Sequence, residues 1–544
     1  MTTHYQMQGD KSVSCGVATM RLLSKYQVDT VFGIPGVHTL DFFRDWENLD
    51  IHHVQARNEQ GAGFMADGYA RFTGKPGVAL VISGPGVTNA LTAVGQAWAD
   101  SIPLLLISSE TASHTHGKGF GALHEIPDQK AVTAPLTALS MRATTPADVP
   151  EMLAAAFDLF ASQRPRPVHI SIPIDVLAQP VEEIWETQPI STTPTPDSTD
   201  IEAVVELLLE AERPVVMVGG GATRASSEII ELVESLDLPL VASTAGKGIV
   251  PDSHPLSLNA STVRSEVRDW LSNRDLVLAI GTELAETDSF VEKMCLTENL
   301  IRIDIDPNKI SDQYASSLGI VADAKATVEA INTLGGFSSV KERRANRENE
   351  LTDVRRAIEK NLTASETQHF TLLSALQSGL PEETVFVGDI CQLVYTGAFG
   401  IARTLPKTWG YPAGYCTLGC GLPNAIGAAF SLPEHTPIVC LAGDGGFMFT
   451  VQELIVAAEE GLGLPIIIWD NGGLKQIQDD MGAESIPLIG VTGRNPDFVK
   501  LAESMGCDGL IGQNLEHIVS ETNAAFKKDH PTVIVVRENE TWLQ

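Results

Sequence analysis

A chain of 544 residues with a formal net charge of −32 at pH 7 is too long for one hydrophobic core and too acidic to seek a polyanion, because nucleic acid and anionic membrane surfaces demand basic patches. Apolar residues make up 43% of it, yet no run of about 18 apolar residues occurs that could span a bilayer. The start, Met1-Thr2-Thr3-His4-Tyr5-Gln6, lacks the basic-then-apolar pattern of a signal peptide, so a cytoplasmic protein is expected. The 7 cysteines, an odd number without CxxC spacing, fit reduced thiols and not a disulfide frame or a zinc site. An acidic excess of this size is tolerated where salt screens self-repulsion. A high-salt habitat would show as a fold more stable in molar salt than in dilute buffer.

Taken in order, residues 11–185 predict a first α/β domain. An amphipathic helix over Ala18–Leu23 precedes buried strands at Val31–Gly36, Val78–Ser83, Leu104–Ser108 and Val168–Pro173, each short, apolar and bounded by turn residues. Such alternation of strands and helices predicts a doubly wound parallel sheet. In Arg57–Arg71, Ala62, Ala66 and Ala70 recur every four residues and make a helix face small enough for another backbone to approach closely. Packing within one subunit and packing between two subunits are both open for that face. The Thr-, Ser- and Pro-rich stretch Thr187–Thr199 reads as a linker.

A second α/β domain over 198–335 has strands at Pro214–Val218, Leu240–Ala242, Leu276–Ile280 and Leu300–Ile305. Gly219-Gly220-Gly221 after the first of these is compatible with a dinucleotide turn and, more simply, with close packing. Residues 337–364 are charged and periodic, as a solvated connecting helix would be. The third domain, 366–544, places strands at Thr384–Val387, Pro437–Ala442, Pro465–Trp469 and Thr532–Val536.

Two turns in this third domain carry the most chemistry. Gly443-Asp444-Gly445-Gly446 follows one apolar run, and Asn471-Gly472-Gly473-Leu474 follows the next, with Asn471 lying 27 positions after Asp444. Thr450 to Gly461 between them has helical composition, with Thr450 as N-cap and Gly461 as stop. In such βαβ units ligands sit beyond the carboxyl ends of the strands. Glycines let backbone amides approach phosphate oxygens, and a carboxylate with an amide oxygen makes a hard ligand set suited to Mg²⁺. On the residues alone, a plain Asp-Gly turn stays open.

These motifs resemble the thiamine-diphosphate signature of the pyruvate decarboxylase and acetolactate synthase superfamily. The resemblance runs over essentially the whole chain and implies three doubly wound α/β domains: pyrimidine-binding, middle and diphosphate-binding. It implies thiamine diphosphate as cofactor and Mg²⁺ held by Asp444, Asn471 and the carbonyl of Gly473. It implies further cofactor contacts from Gly36, from Asp389, Ile390 and Cys391 in the loop Gly388–Gln392, from Gly443, Gly445 and Gly446, and from Leu474. Gly414–Pro423 resembles the segment that bends the cofactor, with Leu418 as the wedge between its rings and the Cys416 carbonyl accepting from its amino group. Glu59 matches the glutamate that shares a proton with the aminopyrimidine, at a subunit interface of a homodimer or homotetramer. Cys391, Cys416 and Cys420 fall near this site.

Among branches of the superfamily, Val31–Leu40, Leu123-His124-Glu125, Gly246–Pro251 and Gly281–Asp288 are similar to the 5-guanidino-2-oxopentanoate decarboxylases. The resemblance implies non-oxidative decarboxylation of a 2-oxo acid, a small-molecule substrate, to an aldehyde. An acetolactate-synthase-like carboligation is the alternative, and a non-catalytic relative a further one. His38 and His124 are then the proton donors or carboxylate binders, with Val37, Gln476 and Asp480 also on the substrate side. A cationic tail would want carboxylates for bidentate pairing, for which Asp389, Glu110, Asp480 and Glu484 are the candidates. Here the sequence departs from the branch: Gly473-Leu474-Lys475-Gln476 stands where an aromatic-Gly-acidic run is usual, and Lys475 would favour an anionic tail. FAD is not expected, since Glu283 after the middle-domain strand would repel a nucleotide phosphate.

Overall fold

A computed structural model of the chain describes residues 12–337 and 347–544. Its contacts gather into two compact units, residues up to Ala70 with Gly74–Ser191, and Arg71–Thr73 with Thr192–Gln544. The helix expected over 337–364 is seen from Arg347 to Lys360; its first part, 338–346, lies outside the described residues.

In the first unit, β1 (Val13–Ser14) pairs antiparallel with β8 (Pro180–Val181). Between them in sequence lie β2 (Thr30–Gly33), β3 (His52–Gln55), β4 (Gly77–Val81), β5 (Leu104–Glu110), β6 (Leu139–Arg142) and β7 (Val168–Pro173). These form an all-parallel sheet in the order β3-β2-β4-β5-β7-β6. The four interior strands are buried along their whole length, as continuous apolar runs flanked by helices require.

The second unit holds two sheets. One runs β10-β9-β11-β12-β13 and consists of β9 (Pro214–Val218), β10 (Leu240–Ala242), β11 (Leu276–Ile280), β12 (Leu300–Asp304) and β13 (Leu318–Val321). The other consists of β14 (Val385–Gly388), β15 (Trp409–Gly410), β16 (Ile438–Gly443), β17 (Pro465–Asp470), β18 (Asp508–Ile511) and β19 (Thr532–Arg537), in the order β15-β14-β16-β17-β19-β18. Every pairing in both is parallel. Counted from its own first strand, this last sheet repeats the strand order of the sheet in the first unit. In each the chain winds outward from a switch between the first and third strands, β14 and β16 here and β2 and β4 there. A switch point of this kind opens a crevice beyond the strand ends.

The two sheets of the second unit are joined by a buried polar seam. The Lys247 ammonium, wholly buried, lies 2.7 Å from Asp252 and also donates to Asn259 Oδ1. Asp252 exchanges backbone bonds with Arg403 across the seam: its N–H donates to the Arg403 carbonyl at 2.8 Å, and its carboxylate accepts the Arg403 N–H at 2.8 Å. Arg403 in turn donates to the carbonyls of Glu382 and Thr384 and stacks on Phe386 of β14. Gly219 and Gly221 pack against the Gly281 turn so closely that a Cβ on Gly219 would stand 2.3 Å from the Gly281 carbonyl, so packing alone accounts for these glycines. Glu283 beside them is paired with Lys309 at 3.1 Å.

Candidate active site

At the switch point of the second unit, four turns meet beyond β14, β16 and β17. The Cβ that Gly443 lacks would lie 3.0 Å from the Cys391 Cβ, and those of Gly421 and Gly446 would strike Asp389 at 2.8 and 2.7 Å. On Gly445 it would lie 3.1 Å from the Leu474 side chain and 3.6 Å from the Gly473 carbonyl. These glycines let the loops 388–392, 416–421, 443–447 and 471–474 close on one another. Asp389 is the staple between them. It is 1% exposed, and its carboxylate accepts the backbone N–H groups of Ile390 (2.7 Å), Gly419 (3.0 Å) and Gly421 (3.0 Å). Burial raises its pKa while these amides oppose the rise. Buried and engaged by three backbone amides, Asp389 orders the loops.

Asp444 follows β16, as the first residue of the short helix Asp444–Phe447, and is 1% exposed. Its Oδ2 accepts from Gly473 N (2.8 Å), Gly472 N (3.1 Å) and Asn495 Nδ2 (2.6 Å). Burial is the main cause that raises its pKa, with the charge of Asp470 adding to it and the Asn495 bond opposing it. Asn471, half-buried in the same turn, has no hydrogen-bond partner among the described residues. Gly473 sits at φ +127°, held there because Leu474 N and Gln478 Nε2 both donate to the Val491 carbonyl. Two acids on adjacent strands sharing one amide donor are eased by a cation. No cluster of three His, Cys, Asp or Glu side chains among the described residues is placed to hold a metal, so an ion at Asp444 would draw on an amide and a carbonyl. The residue set fits a hard divalent cation carrying phosphate oxygens.

The segment 450–461 departs from expectation. Thr450 does not cap: its hydroxyl donates to the Gly419 carbonyl at 2.6 Å and so ties the 416–421 turn to the 443–447 turn. A turn of 3-10 helix at Val451–Glu453 leads into the helix Leu454–Glu459, and Gly461, at φ +67°, stops the chain there as expected. Cys416 stands at φ +51°, exposed, with its thiol against the Ala413 carbonyl. Leu418 beside it is half-buried. The Cys391 thiol is pushed up to about 12 by burial and stays protonated.

Beyond Leu474 the helix Lys475–Ala483 has no buried residue. Lys475 is neutralised by Asp479 one turn on, and Gln476 Nε2 donates to Asp480 Oδ1 at 3.1 Å. Gln392, after the Asp389 loop, reaches this helix through Gln476 and Asp479, 3.1 Å each. Gln476, Asp480 and Glu484 are all solvent-exposed.

The switch point of the first unit gathers the other predicted residues. Gly36 closes a turn with Thr39, and a Cβ on it would lie 2.5 Å from Ile82, which brings the turn after β2 against the end of β4. Val37 on that turn is 61% exposed. His38 Nδ1 lies 2.6 Å from Ser83 Oγ, and its ring stands edge-on to His124 at 5.3 Å. Burial, and then the charge of His124, hold the His38 pKa below its ordinary value. His124 has φ +61°, its carbonyl pressed on Gly84. Glu59 begins the helix Glu59–Thr73, which Asn58 caps; it is half-buried and accepts from Asn89 Nδ2 at 2.9 Å. Glu110 is already paired bidentately with Arg142, at 2.8 and 2.7 Å. His116 Nε2 donates to the Thr111 carbonyl, 2.6 Å away.

Asn495, Asp470 and Gln129 were not foreseen. Asp470, as the last residue of β17, had a positional signal; Asn495 and Gln129 had none.

Comparison with known proteins now adds to this geometry. Three family models match: "Thiamine pyrophosphate enzyme, N-terminal TPP binding domain" over residues 14–132, its central domain over 201–331, and its C-terminal TPP binding domain over 389–536. The chain is 44% identical to a probable 2-ketoarginine decarboxylase of Pseudomonas aeruginosa, over 98% of this chain and 95% of that one. It is 32% identical to the acetolactate synthase isozyme 3 large subunit of Escherichia coli, over 94% and 91%, and 32% identical to an acetolactate synthase of Mycobacterium bovis, over 95% and 87%.

Proposed function

Because the chain belongs to the thiamine pyrophosphate enzyme family, we propose that it decarboxylates a 2-oxo acid without oxidation, giving carbon dioxide and an aldehyde, with 5-guanidino-2-oxopentanoate as the substrate. The observation that carries the cofactor reading is the meeting of Asp444 with the 471–474 turn at the ends of adjacent strands. The substrate reading rests on the likeness to the probable 2-ketoarginine decarboxylase.

When bound, thiamine diphosphate supplies the electron sink for the bond broken as carbon dioxide leaves. In this reading Asp444, Asn471 and the Gly473 carbonyl hold Mg²⁺, and the amides around Gly443, Gly445, Gly446, Ile390 and Cys391 hold the diphosphate, with Leu474 beside them. Leu418 is the apolar wedge and the Cys416 carbonyl an acceptor. Glu59 would stand beside the pyrimidine ring as its proton donor and acceptor, and Gly36 would line that side. His38 and His124 face the substrate carboxylate and return a proton to the carbonyl carbon, with Val37, Gln476 and Asp480 around the substrate tail. The domains 11–185, 198–335 and 366–544, a homodimer or homotetramer with active sites at the subunit interface, and a cytoplasmic location belong to the same reading. Among the described residues no helix is long and apolar enough to cross a membrane.

A carboligation, in which a second carbonyl compound takes the place of the returning proton, is the second reading, favoured by the acetolactate synthases at 32% identity. Incubation with thiamine diphosphate, Mg²⁺ and a panel of 2-oxo acids, followed by separation of aldehydes from hydroxyketones, tests both. Aldehyde from the guanidino acid supports the first; no product from any acid removes both.

A further inference from the structure

Beneath the Ser83-Gly84 turn, against which His124 packs, lies a buried chain of hydrogen bonds with Gln129 at its centre. Gln129 is 1% exposed. Its Oε1 accepts the Gly84 N–H at 2.8 Å. Its Nε2, with two protons to give, lies within hydrogen-bond distance of the Ser109 carbonyl (2.8 Å), Ser171 Oγ (3.0 Å) and Ser108 Oγ (3.0 Å). Ser171 passes its own proton to Glu110 Oε2 at 2.5 Å, and Glu110 is clamped by Arg142 from the edge strand β6. Ser109 Oγ accepts the Ser83 N–H at 3.0 Å, and Ser83 Oγ meets His38 Nδ1.

The directions of the bonds that join Gln129 to Glu110 are fixed by their neighbours. Glu110, held beside a guanidinium, only accepts, so Ser171 donates to it and must accept from Gln129. The amide nitrogen of Gln129 is thereby turned to the strand ends and its oxygen to Gly84. The two amide protons of Gln129 go to the Ser109 carbonyl and to Ser171 Oγ, and Ser108 Oγ lies 2.8 Å from His169 Nε2. His169 Nδ1 lies 2.8 Å from Thr133 Oγ1, which also meets Ser140 Oγ at 2.7 Å and the Lys130 carbonyl at 3.1 Å. His169 is wholly buried and held near 3 by burial, then by the charge of Arg142, so it stays neutral, with one ring nitrogen donating and the other accepting. A buried network with every member satisfied specifies one geometry.

We infer that Gln129 is a positioning residue, through which the Glu110–Arg142 pair holds the Gly84 turn and, by way of Ser83, the His38 ring in one orientation. The inference rests on the reading of His38 and His124 as substrate-facing groups for its catalytic consequence, but not for its structural one. Gly84, at φ +64°, has the His124 carbonyl pressed against it. Loss of the Gln129 oxygen therefore frees the Gly84 amide and loosens both histidines together.

The test compares Gln129→Met, similar in length but unable to hydrogen-bond, with Ser171→Ala, which cuts the link to Glu110 and leaves the Gly84 bond in place. Hydrogen exchange at the 82–86 segment and the titration of the His38 ring are read on the full chain without substrate. Steady-state kinetics are read with the cofactor added. Expected are faster exchange at Gly84 in both variants, a His38 midpoint moved up toward its ordinary value, and kcat lowered roughly tenfold with KM within about twofold, since small misplacements act on orientation. Gln129→Met should show the larger effect. Unchanged exchange and an unchanged His38 midpoint in a folded variant overturn the inference. Should Gln129→Met not fold, Ser171→Ala decides it alone on the same two signals. An inactive wild-type protein would refute the proposed function, while the exchange and titration results would still judge the role of Gln129.

Discussion

Asn495 donates to Asp444 Oδ2 at 2.6 Å and to Asp470 Oδ1 at 2.9 Å, so one carboxamide stands between two acids at the ends of β16 and β17. Replaced by alanine, it leaves the two carboxylates facing each other with one donor fewer. Like charge raises a pKa, and a carboxylate must lose its proton before it ligates a metal. Asn495→Ala should weaken Mg²⁺ binding by roughly tenfold, a loss of about 1.4 kcal/mol, and the deficit should be larger at pH 6 than at pH 8. Calorimetric titration of Mg²⁺ in the presence of thiamine diphosphate measures it; equal affinities for the variant and the parent would rule out the role given to Asn495.

Glu59 accepts from Asn89 at the first turn of its helix. Glu59→Gln keeps the shape and the hydrogen bond but removes the exchangeable proton. Thiamine diphosphate affinity should stay within a few-fold while turnover falls by about 10²–10⁴, the span typical of a lost general acid or base. Normal turnover in the glutamine variant would sink the assignment. Asn89→Ala, which frees the carboxylate without removing it, should lose much less.

How much of this was legible in the sequence divides along the sheets. Interior strands such as β4, β5, β16 and β17 are buried on both faces, and their unbroken apolar runs announce them. The strands missed were β3, β6, β13, β15 and β18, edge strands with a neighbour on one side only, and the two-residue pair β1 and β8. His52–Gln55, Leu139–Arg142, Leu318–Val321 and Asp508–Ile511 are largely half-buried or exposed, so no burial pressure writes an apolar pattern into them. The shared strand order of the two six-stranded sheets left no repeat in the residues, because topology depends on which runs pair and not on their identity. In the site, Asp444, Asn471 and the glycines were readable because a turn beside a strand end constrains residue type. Asn495 and Gln129 sit in a loop and a five-residue helix, where nothing local separates a buried amide from a solvated one. Thr450 misled because a threonine before a helical stretch predicts a cap, whereas a carbonyl from the neighbouring turn claimed its hydroxyl.

The seam at Lys247 should be sensitive to which partner is removed. Taking away Lys247 leaves Asp252 charged and buried, a change that commonly costs about 3–5 kcal/mol. Lys247→Met should therefore lower the urea midpoint strongly. Adding Asp252→Asn should recover part of the loss, because asparagine still accepts the Arg403 N–H that Asp252 holds at 2.8 Å while carrying no charge. If the double variant is no more stable than Lys247→Met, the uncompensated charge is not the cause of the loss.

His369 predicts how the fold responds to acid. It is 1% exposed, with its ring edge-on to Trp469 at 4.9 Å and Nδ1 2.8 Å from Thr396 Oγ1. Burial holds its pKa at about 4, against the ordinary 6.5. Between those values the unfolded chain binds a proton that the folded chain refuses, so stability falls as pH falls through this window. The slope per group is at most about 1.4 kcal/mol per pH unit, which sums to roughly 3 kcal/mol once the lower value is passed. His53, held near 4 by burial and by the charge of His52, and His169 add to the same limb. Carboxylates with depressed values, such as Asp148, whose hydrogen bonds to Thr144 and Thr145 favour its charged form, lose their contribution only at lower pH. Replacing His369 by phenylalanine fills the site with an apolar ring of similar size and removes the titration. Urea midpoints measured from pH 7.5 down to pH 4.5 should then fall less steeply for His369→Phe than for the parent, and parallel curves would show that proton uptake at His369 does not contribute.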